Sequence, residues 1–175
     1  DGLLGKYSKD LKLISKYNPC SEKDNEMQRI ILLYNLDEET MLIGSHFRDK
    51  SLLKFNTKSG QLSVVQQVSK ELNNTNFQIN SIRKNQSGEI MALIRNSGLF
   101  LYNNQQNVLE NVMPEINNRV TFKLNDFYND KDGYYWFTTQ ADGLIRLSPD
   151  GRSFDKWTIE QGFPTNSLLC IESTN

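Results

Sequence analysis

Asp132-Gly133-Tyr134-Tyr135-Trp136-Phe137-Thr138-Thr139, followed by Asp142-Gly143-Leu144-Ile145-Arg146-Leu147 and then by Asp150-Gly151, is the stretch that decides the fold. Its three Asp-Gly pairs separate short segments rich in aromatic and β-branched residues. Such pairs favour hairpin turns, because glycine reaches positive φ without a Cβ penalty and aspartate can bond its own turn. The spacing predicts four strands, at roughly Leu124 to Tyr128, Tyr134 to Thr139, Leu144 to Ser148 and Ser153 to Thr158. Within them Phe122 with Leu124, Tyr135 with Phe137, and Ile145 with Leu147 share one face of a strand, as side chains two apart must.

The pattern repeats. Shifted back by 45 residues it falls on Ser87-Gly88-Glu89-Ile90-Met91-Ala92-Leu93-Ile94 and Ser97-Gly98-Leu99-Phe100-Leu101-Tyr102, with both glycines in register. A further shift, with a longer loop, reaches Leu42-Ile43-Gly44-Ser45, Ser51-Leu52-Leu53-Lys54-Phe55 and a turn at Ser59-Gly60. One more third-strand copy, Asp1-Gly2-Leu3-Leu4-Gly5-Lys6-Tyr7, opens the chain. The anchors Tyr7, Phe55, Tyr102 and Leu147 are 48, 47 and 45 residues apart. No sustained 3.6-residue apolar period competes, although Ser69 to Leu72 could form one helical turn. Four short strands in about forty-five residues are the pattern of a β-propeller blade. The expected fold is therefore all-β: a partial propeller of about three to four four-stranded antiparallel blades, incomplete at both ends. Residues 1–17 read as the end of a blade, 18–70, 71–117 and 118–162 as blades, and 163–175 as the start of the next. No such unit hides its apolar faces alone, so stacking of one blade on another must supply the core.

Composition removes several classes of function. The chain has 175 residues, 37% hydrophobic and 23% charged, with 20 basic against 21 acidic residues and a net charge of -1. It lacks the basic excess that binds phosphate backbones, so no nucleic-acid partner is expected. The longest apolar runs, Ile30 to Tyr34 and Ile90 to Ile94, fall far short of the roughly twenty residues that cross a bilayer, so no membrane span is expected. One histidine and two cysteines cannot make a four-cysteine or a two-cysteine, two-histidine zinc site. No metal and no cofactor are expected. Cys20 and Cys170 lie near opposite ends in unlike contexts, which leaves a disulfide open without implying one. The opening at Asp1-Gly2 and the apolar run Leu168 to Ile171 just before the last residues read as a piece of a longer chain.

Asp130 to Thr139, then Gly143-Leu144-Ile145-Arg146-Leu147, then Gly162-Phe163-Pro164-Thr165-Asn166-Ser167 together resemble the two-component regulator propeller repeat. That repeat reads D-x-x-G-x-L-W-I-G-T-x-x-G-L-x-R with a linker close to G-L-P-x-N. Met91 and Leu42 stand where it has its tryptophan, and Thr138 where it often has glycine. The resemblance implies the periplasmic sensor region of a hybrid two-component system, part of an inner-membrane protein whose histidine kinase lies outside this chain. It implies recognition of a carbohydrate, often an oligosaccharide, or scaffolding of a neighbour that recognises it, with the signal passed on through a dimer. A closed ring of this type holds about seven or eight blades. Fewer than four leave apolar faces and strand edges open, which predicts self-association or pairing with further blades of a parent protein.

A ligand site on such a fold would use the loops from second to third strand and from fourth strand to the next blade. Those place His46, Arg48, Arg95, Asn96, Gln140 and Asp142 as candidate ligand-binding residues, hydrogen-bonding groups suited to polar sugars or a peptide. The alternative for each is an ordinary solvated turn. Phe163-Pro164 reads as a rigid linker, with Asn166 tying down its backbone. Trp136 is expected in blade packing, whereas Trp157, near an outer strand, could pack or present a sugar-stacking surface. His46 has no recognisable Ser or Cys partner for nucleophilic chemistry. The run Asp130-Lys131-Asp132-Gly133 has a hairpin turn as its reading, since EF-hand spacing would put Tyr128 and Thr139 at ligand positions. No catalytic residue is nominated. The alternatives to a sensor are a propeller-type polysaccharide lyase or glycoside hydrolase and a pure protein-interaction scaffold.

Overall fold

The computed structural model describes residues 4–17, 30–45, 52–67, 78–112 and 123–173. The chain divides into two compact units, Asp1–Val65 and Gln66–Asn175. His46, Arg48, Cys20, Phe122 and the stretch Ser69 to Leu72 lie outside the described residues.

The first unit holds an antiparallel hairpin, β1 (Leu4–Tyr7) with β2 (Leu13–Tyr17), and an antiparallel sheet in the order β3 (Ile30–Asn35), β4 (Thr40–Ser45), β5 (Leu52–Asn56), β6 (Leu62–Val64). Alternation sorts the side chains. Met41 pairs with Phe55 and Ile43 with Leu53, and this face meets the hairpin. Ile43, Leu53 and Phe55 form a buried cluster on which Leu4 and Tyr17 of the hairpin pack. The Tyr17 and Phe55 rings meet edge to face with centroids 4.9 Å apart, and the Tyr17 hydroxyl donates to the Thr57 carbonyl at 3.0 Å. One aromatic ring thus serves both packing and polar satisfaction.

The second unit holds two sheets. β8 (Ile79–Lys84), β9 (Ile90–Ile94), β10 (Gly98–Asn103) and β11 (Val108–Asn111) run antiparallel in order, and so do β12 (Leu124–Asn129), β13 (Tyr135–Thr139), β14 (Leu144–Leu147) and β15 (Phe154–Trp157). The four strands read from the Asp-Gly spacing are therefore present, with boundaries within about one residue. Gly133, Gly143 and Gly151 each have positive φ, at 84°, 74° and 71°. One strand was not foreseen. β7 (Gln66–Gln67) pairs parallel with β11 and gives that sheet a fifth member, occupying backbone groups that an outer edge would otherwise leave open.

The two sheets stack front to back. We call the face that carries Tyr135, Phe137, Ile145 and Leu147 the back of the β12–β15 sheet. It packs with Phe127, and with Phe154 at its margin, on Met91, Leu93, Leu99 and Leu101 from the front of the β8–β11 sheet. Phe127, Phe137, Leu93 and Leu99 are wholly buried. Each such side chain contributes about 1.5–3 kcal/mol on burial, so the stacked faces, rather than the turns, hold the unit together. Trp136 differs from expectation. It points to the opposite, front face, where it is half-buried and stacked on Trp157, whereas Met91, one repeat earlier on the same face, is buried beneath the following sheet.

A bulge recurs at one place in all three sheets. The first-to-second-strand register shifts between Ile30 and Leu32, between Ile79 and Ser81, and between Leu124 and Asp126. The residues skipped are Ile31, Asn80 and Asn125. Released from the ladder, the two asparagine side chains reach the chain about one repeat further on: Asn80 Nδ2 donates to the Leu124 carbonyl at 2.6 Å, and Asn125 Nδ2 to the Leu168 carbonyl at 2.7 Å.

Candidate functional site

Second-to-third-strand turns in the second unit are anchored alike. The Arg95 amide donates to the Gln78 carbonyl at 2.8 Å, and the Gln140 amide to the Lys123 carbonyl at 3.0 Å. Each turn is thereby pinned to the residue that precedes its own sheet's first strand. Arg95 also holds Gln78 through its side chain, Nη1 to Oε1 at 3.2 Å, and Asn96 turns the chain in the left-handed region at φ 62°. Arg95 and Asn96 are thus built into a tight turn of their own sheet. They do not enter the polar cluster that surrounds Asp142. His46 and Arg48 lie outside the described residues.

Around Asp142 the chain builds a polar recess. The Asp142 amide donates to Thr139 Oγ1 at 2.7 Å, and that hydroxyl donates to the Gly143 carbonyl at 2.9 Å. The Asp142 side chain, 6% exposed, accepts from the Lys156 ammonium. Gly143 lets the chain pass close beneath Trp157: a Cβ there would stand 2.0 Å from the Trp157 carbonyl oxygen. The turn is then stitched to the linker, since the Gly143 amide donates to the Asn166 carbonyl at 2.8 Å and the Ile159 amide to Asn166 Oδ1 at 2.9 Å. Asn166 does tie down the linker backbone.

The linker adds a single 3-10 turn, Ile159–Gln161, started by a capping box. Glu160 N donates to Thr158 Oγ1, while Thr158 N and its hydroxyl donate to Gln161 Oε1 at 2.9 and 2.7 Å. Gly162 ends the turn at φ 90°. Ala141, Lys156, Thr158, Glu160, Gln161 and Asn166 together line a cavity of about 300 Å³. An ammonium, a carboxylate, two amides and a hydroxyl converge there, the donor and acceptor mixture that a polyhydroxylated ligand requires. Gln140 and Asp142, the candidate residues of this loop, flank the cavity at Ala141. Lys156, Thr158, Glu160 and Gln161 were not nominated from sequence. The Thr-x-x-Gln spacing of Thr158 and Gln161 is the signal that would have located the capped turn.

A second polar cluster joins the inner strands. Arg83 on β8 donates to Asp126 on β12, Nη2 to Oδ2 at 2.9 Å and Nε to Oδ1 at 3.4 Å. The same guanidinium donates to the Ile171 carbonyl at 2.9 Å and to Glu172 Oε2 at 3.0 Å, while the Ile171 amide donates to Asp126 Oδ2 at 3.2 Å. Arg83 and Asp126 therefore grip both backbone groups of one residue. Burial works against the Asp126 charge, yet Arg83, Ser81 and the Ile171 and Phe127 amides outweigh it and hold the carboxyl below its ordinary pKa. At the β12–β13 turn, Asp130 accepts from the Asp132 and Tyr134 amides at 3.0 and 2.9 Å and from Trp136 Nε1 at 2.7 Å. Its carboxylate is spent on the hairpin, as expected. Among the described residues, no group of three or more His, Cys, Asp or Glu side chains is placed to hold a metal ion. Cys170 is a free, exposed thiol.

No family model matches the chain, and no curated protein matches it. Solved structures do. The chain is similar to an extracellular domain from B. thetaiotaomicron assigned to the hybrid two-component system BT4673, with TM-score 0.69, 12% identity, and 94% of this chain covered against 21% of that one. A second structure of the BT4673 extracellular domain, described as part of a one-component system, gives TM-score 0.68 at 13% identity, covering 95% and 22%. The extracellular domain assigned to hybrid two-component system BT3049, from the same organism, gives TM-score 0.51 at 17% identity, covering 80% and 16%. The chain thus spans about a fifth of the length of these structures. At such identities the likeness is one of fold, and in architecture the chain is a propeller-type, all-β segment like those of two-component extracellular domains.

Proposed function

We propose that this chain is a non-catalytic segment of a periplasmic sensor in a hybrid two-component system, which recognises a carbohydrate or scaffolds its recognition and passes the signal to a kinase outside the chain. The single observation that carries this reading is the polar cavity between the Asp142 turn and the linker. Its groups suit a neutral, hydroxyl-rich ligand: Glu160 offers acceptors, and Lys156 a donor already oriented by Asp142. The fold shared with extracellular domains of two-component systems supports the cellular setting. Among the described residues no helix is long and apolar enough to cross a membrane.

A sensor needs a site whose affinity differs between two states of the whole protein, whereas a hydrolase or lyase needs acid and base groups aimed at one bond. Here the Asp142 carboxylate is engaged by Lys156 and Gln161 by its capping box, so these groups hold a shape. Calorimetric titration of the chain with a panel of neutral oligosaccharides, followed by product analysis, tests the proposal. Saturable heat without turnover is the expected result for direct recognition; turnover overturns the sensor reading, and no heat with any sugar overturns recognition at this cavity and leaves the scaffold arm.

A further inference from the structure

The two side-chain amides that line the cavity beside the Asp142 turn have their orientation settled by the backbone. A backbone N–H only donates, so the Asn166 atom 2.9 Å from the Ile159 amide is Oδ1, and the Gln161 atom 2.9 Å from the Thr158 amide is Oε1. Gln161 Oε1 also accepts from the Thr158 hydroxyl at 2.7 Å, and the Asn166 backbone carbonyl accepts from the Gly143 amide at 2.8 Å. The amide oxygens are spent on holding the linker, and the NH2 groups are what these residues keep for a ligand. Among the described residues neither NH2 group donates to a protein acceptor.

Thr158 is engaged in the same way, its hydroxyl donating to Gln161 and accepting from the Glu160 amide. Lys156 adds an ammonium, a group with three donors, of which Asp142 takes one. The lining therefore offers donors from Lys156, Gln161 and Asn166, and acceptors chiefly from the exposed Glu160 carboxylate. Lys156 is outnumbered by Asp142 and Glu160, so the site does not favour an anion. Donors that call for a strong acceptor, in a setting that repels carboxylate and sulfate, fit a neutral carbonyl. An acetamido group supplies that oxygen and, beside it, an N–H for Glu160. The cavity opens at the strand ends, at the β13–β14 turn and the linker after β15, and none of its lining belongs to the sheet face that carries Trp136 and Arg146.

We propose that this cavity reads the acetamido group of an N-acetylated sugar, its carbonyl accepting from Gln161 Nε2 and Asn166 Nδ2 and its N–H donating to Glu160. The inference rests on carbohydrate recognition at this site and names the sugar class. Heteronuclear NMR titration of the full chain tests it, following the side-chain NH2 signals of Gln161 and Asn166, with N-acetylglucosamine and N-acetylgalactosamine against glucose, galactose and glucosamine, and with a blocked dipeptide as a second source of a neutral amide. Gln161→Glu and Asn166→Asp each keep the oxygen that holds the linker and replace the NH2 group, and circular dichroism checks that they fold. The expected result is saturable shifts of both NH2 signals with at least one acetamido sugar, binding about tenfold weaker for its hydroxyl and amine counterparts and for either variant, as the loss of one hydrogen bond predicts. Equal binding of acetamido and hydroxyl sugars, or variants that bind as the wild type does, overturns the inference and leaves carbohydrate recognition standing. No response to any sugar overturns both, and a blocked dipeptide that binds more tightly than every sugar makes the cavity a peptide site and overturns both as well.

Discussion

Asn80 and Asn125 stand 45 residues apart at the same bulge of two successive sheets, and each donates its side-chain amide to a backbone carbonyl 44 or 43 residues further on, at Leu124 and Leu168. A β-bulge here frees one side chain from the ladder and re-aims it. The asparagine sets the spacing between one inner strand and the segment that follows it. Asn125→Ala is expected to lower stability by about 1 kcal/mol, the worth of one hydrogen bond, and to speed amide exchange selectively at Leu168 and Ile171. Exchange unchanged in that segment would show that the bond does not position it.

Gly143 gives a contrast with Gly151. Both have positive φ, 74° and 71°, but a Cβ at Gly143 meets the Trp157 carbonyl oxygen at 2.0 Å whereas nothing lies within 4 Å at Gly151. Gly151→Ala carries only the left-handed backbone penalty, roughly 1–2 kcal/mol. Gly143→Ala adds a collision with backbone and is expected to cost clearly more, about 3 kcal/mol or above. Urea denaturation of the two variants checks the order.

Acid should act through Asp126. Its folded pKa is depressed, so the stability it contributes is present above the unfolded carboxylate value near 4 and is lost as pH falls through the lower folded value. Asp126→Asn is expected to be destabilised at neutral pH and to lose less than the wild type on acidification. Denaturation midpoints measured from neutral pH down to about pH 2 would show the two curves converging; parallel curves would exclude Asp126 as the source.

Lys156→Met removes one ion-pair partner of a carboxylate that is only 6% exposed. The ammonium is itself 39% exposed, which screens the pair, so the expected cost is about 1–2 kcal/mol rather than that of a fully buried ion pair. The same variant should weaken oligosaccharide heat in calorimetry, while Arg95→Met, in a turn outside the cavity, should leave it unchanged.

The repeat was legible because turn chemistry and alternation are local. Asp142-Gly143 and Asp150-Gly151 mark their hairpins in the sequence, and Tyr135 with Phe137 share a face by parity alone. What could not be read depends on which chain segments become neighbours. Parity places Trp136 on the face opposite Tyr135 and Phe137, but its stacking on Trp157 depends on the pairing of β13, β14 and β15. Arg83 and Asp126 are 43 residues apart rather than 45, so no register pairs them. Lys156 reaches Asp142 across the pairing of the third and fourth strands, where Gly143 passes close to the Trp157 carbonyl. Arg95 and Asn96 share a loop type with Gln140 and Asp142, but their bonds serve their own turn.

That successive sheets are laid with β8 beside β12 is tested most directly by a double-mutant cycle on Arg83 and Asp126, using Arg83→Met, Asp126→Asn and the pair, with stability read from urea denaturation. Adjacent inner strands predict a coupling of about 1–3 kcal/mol, as for a hydrogen-bonded, partly buried charge pair. Additive single effects, with coupling near zero, would contradict the arrangement.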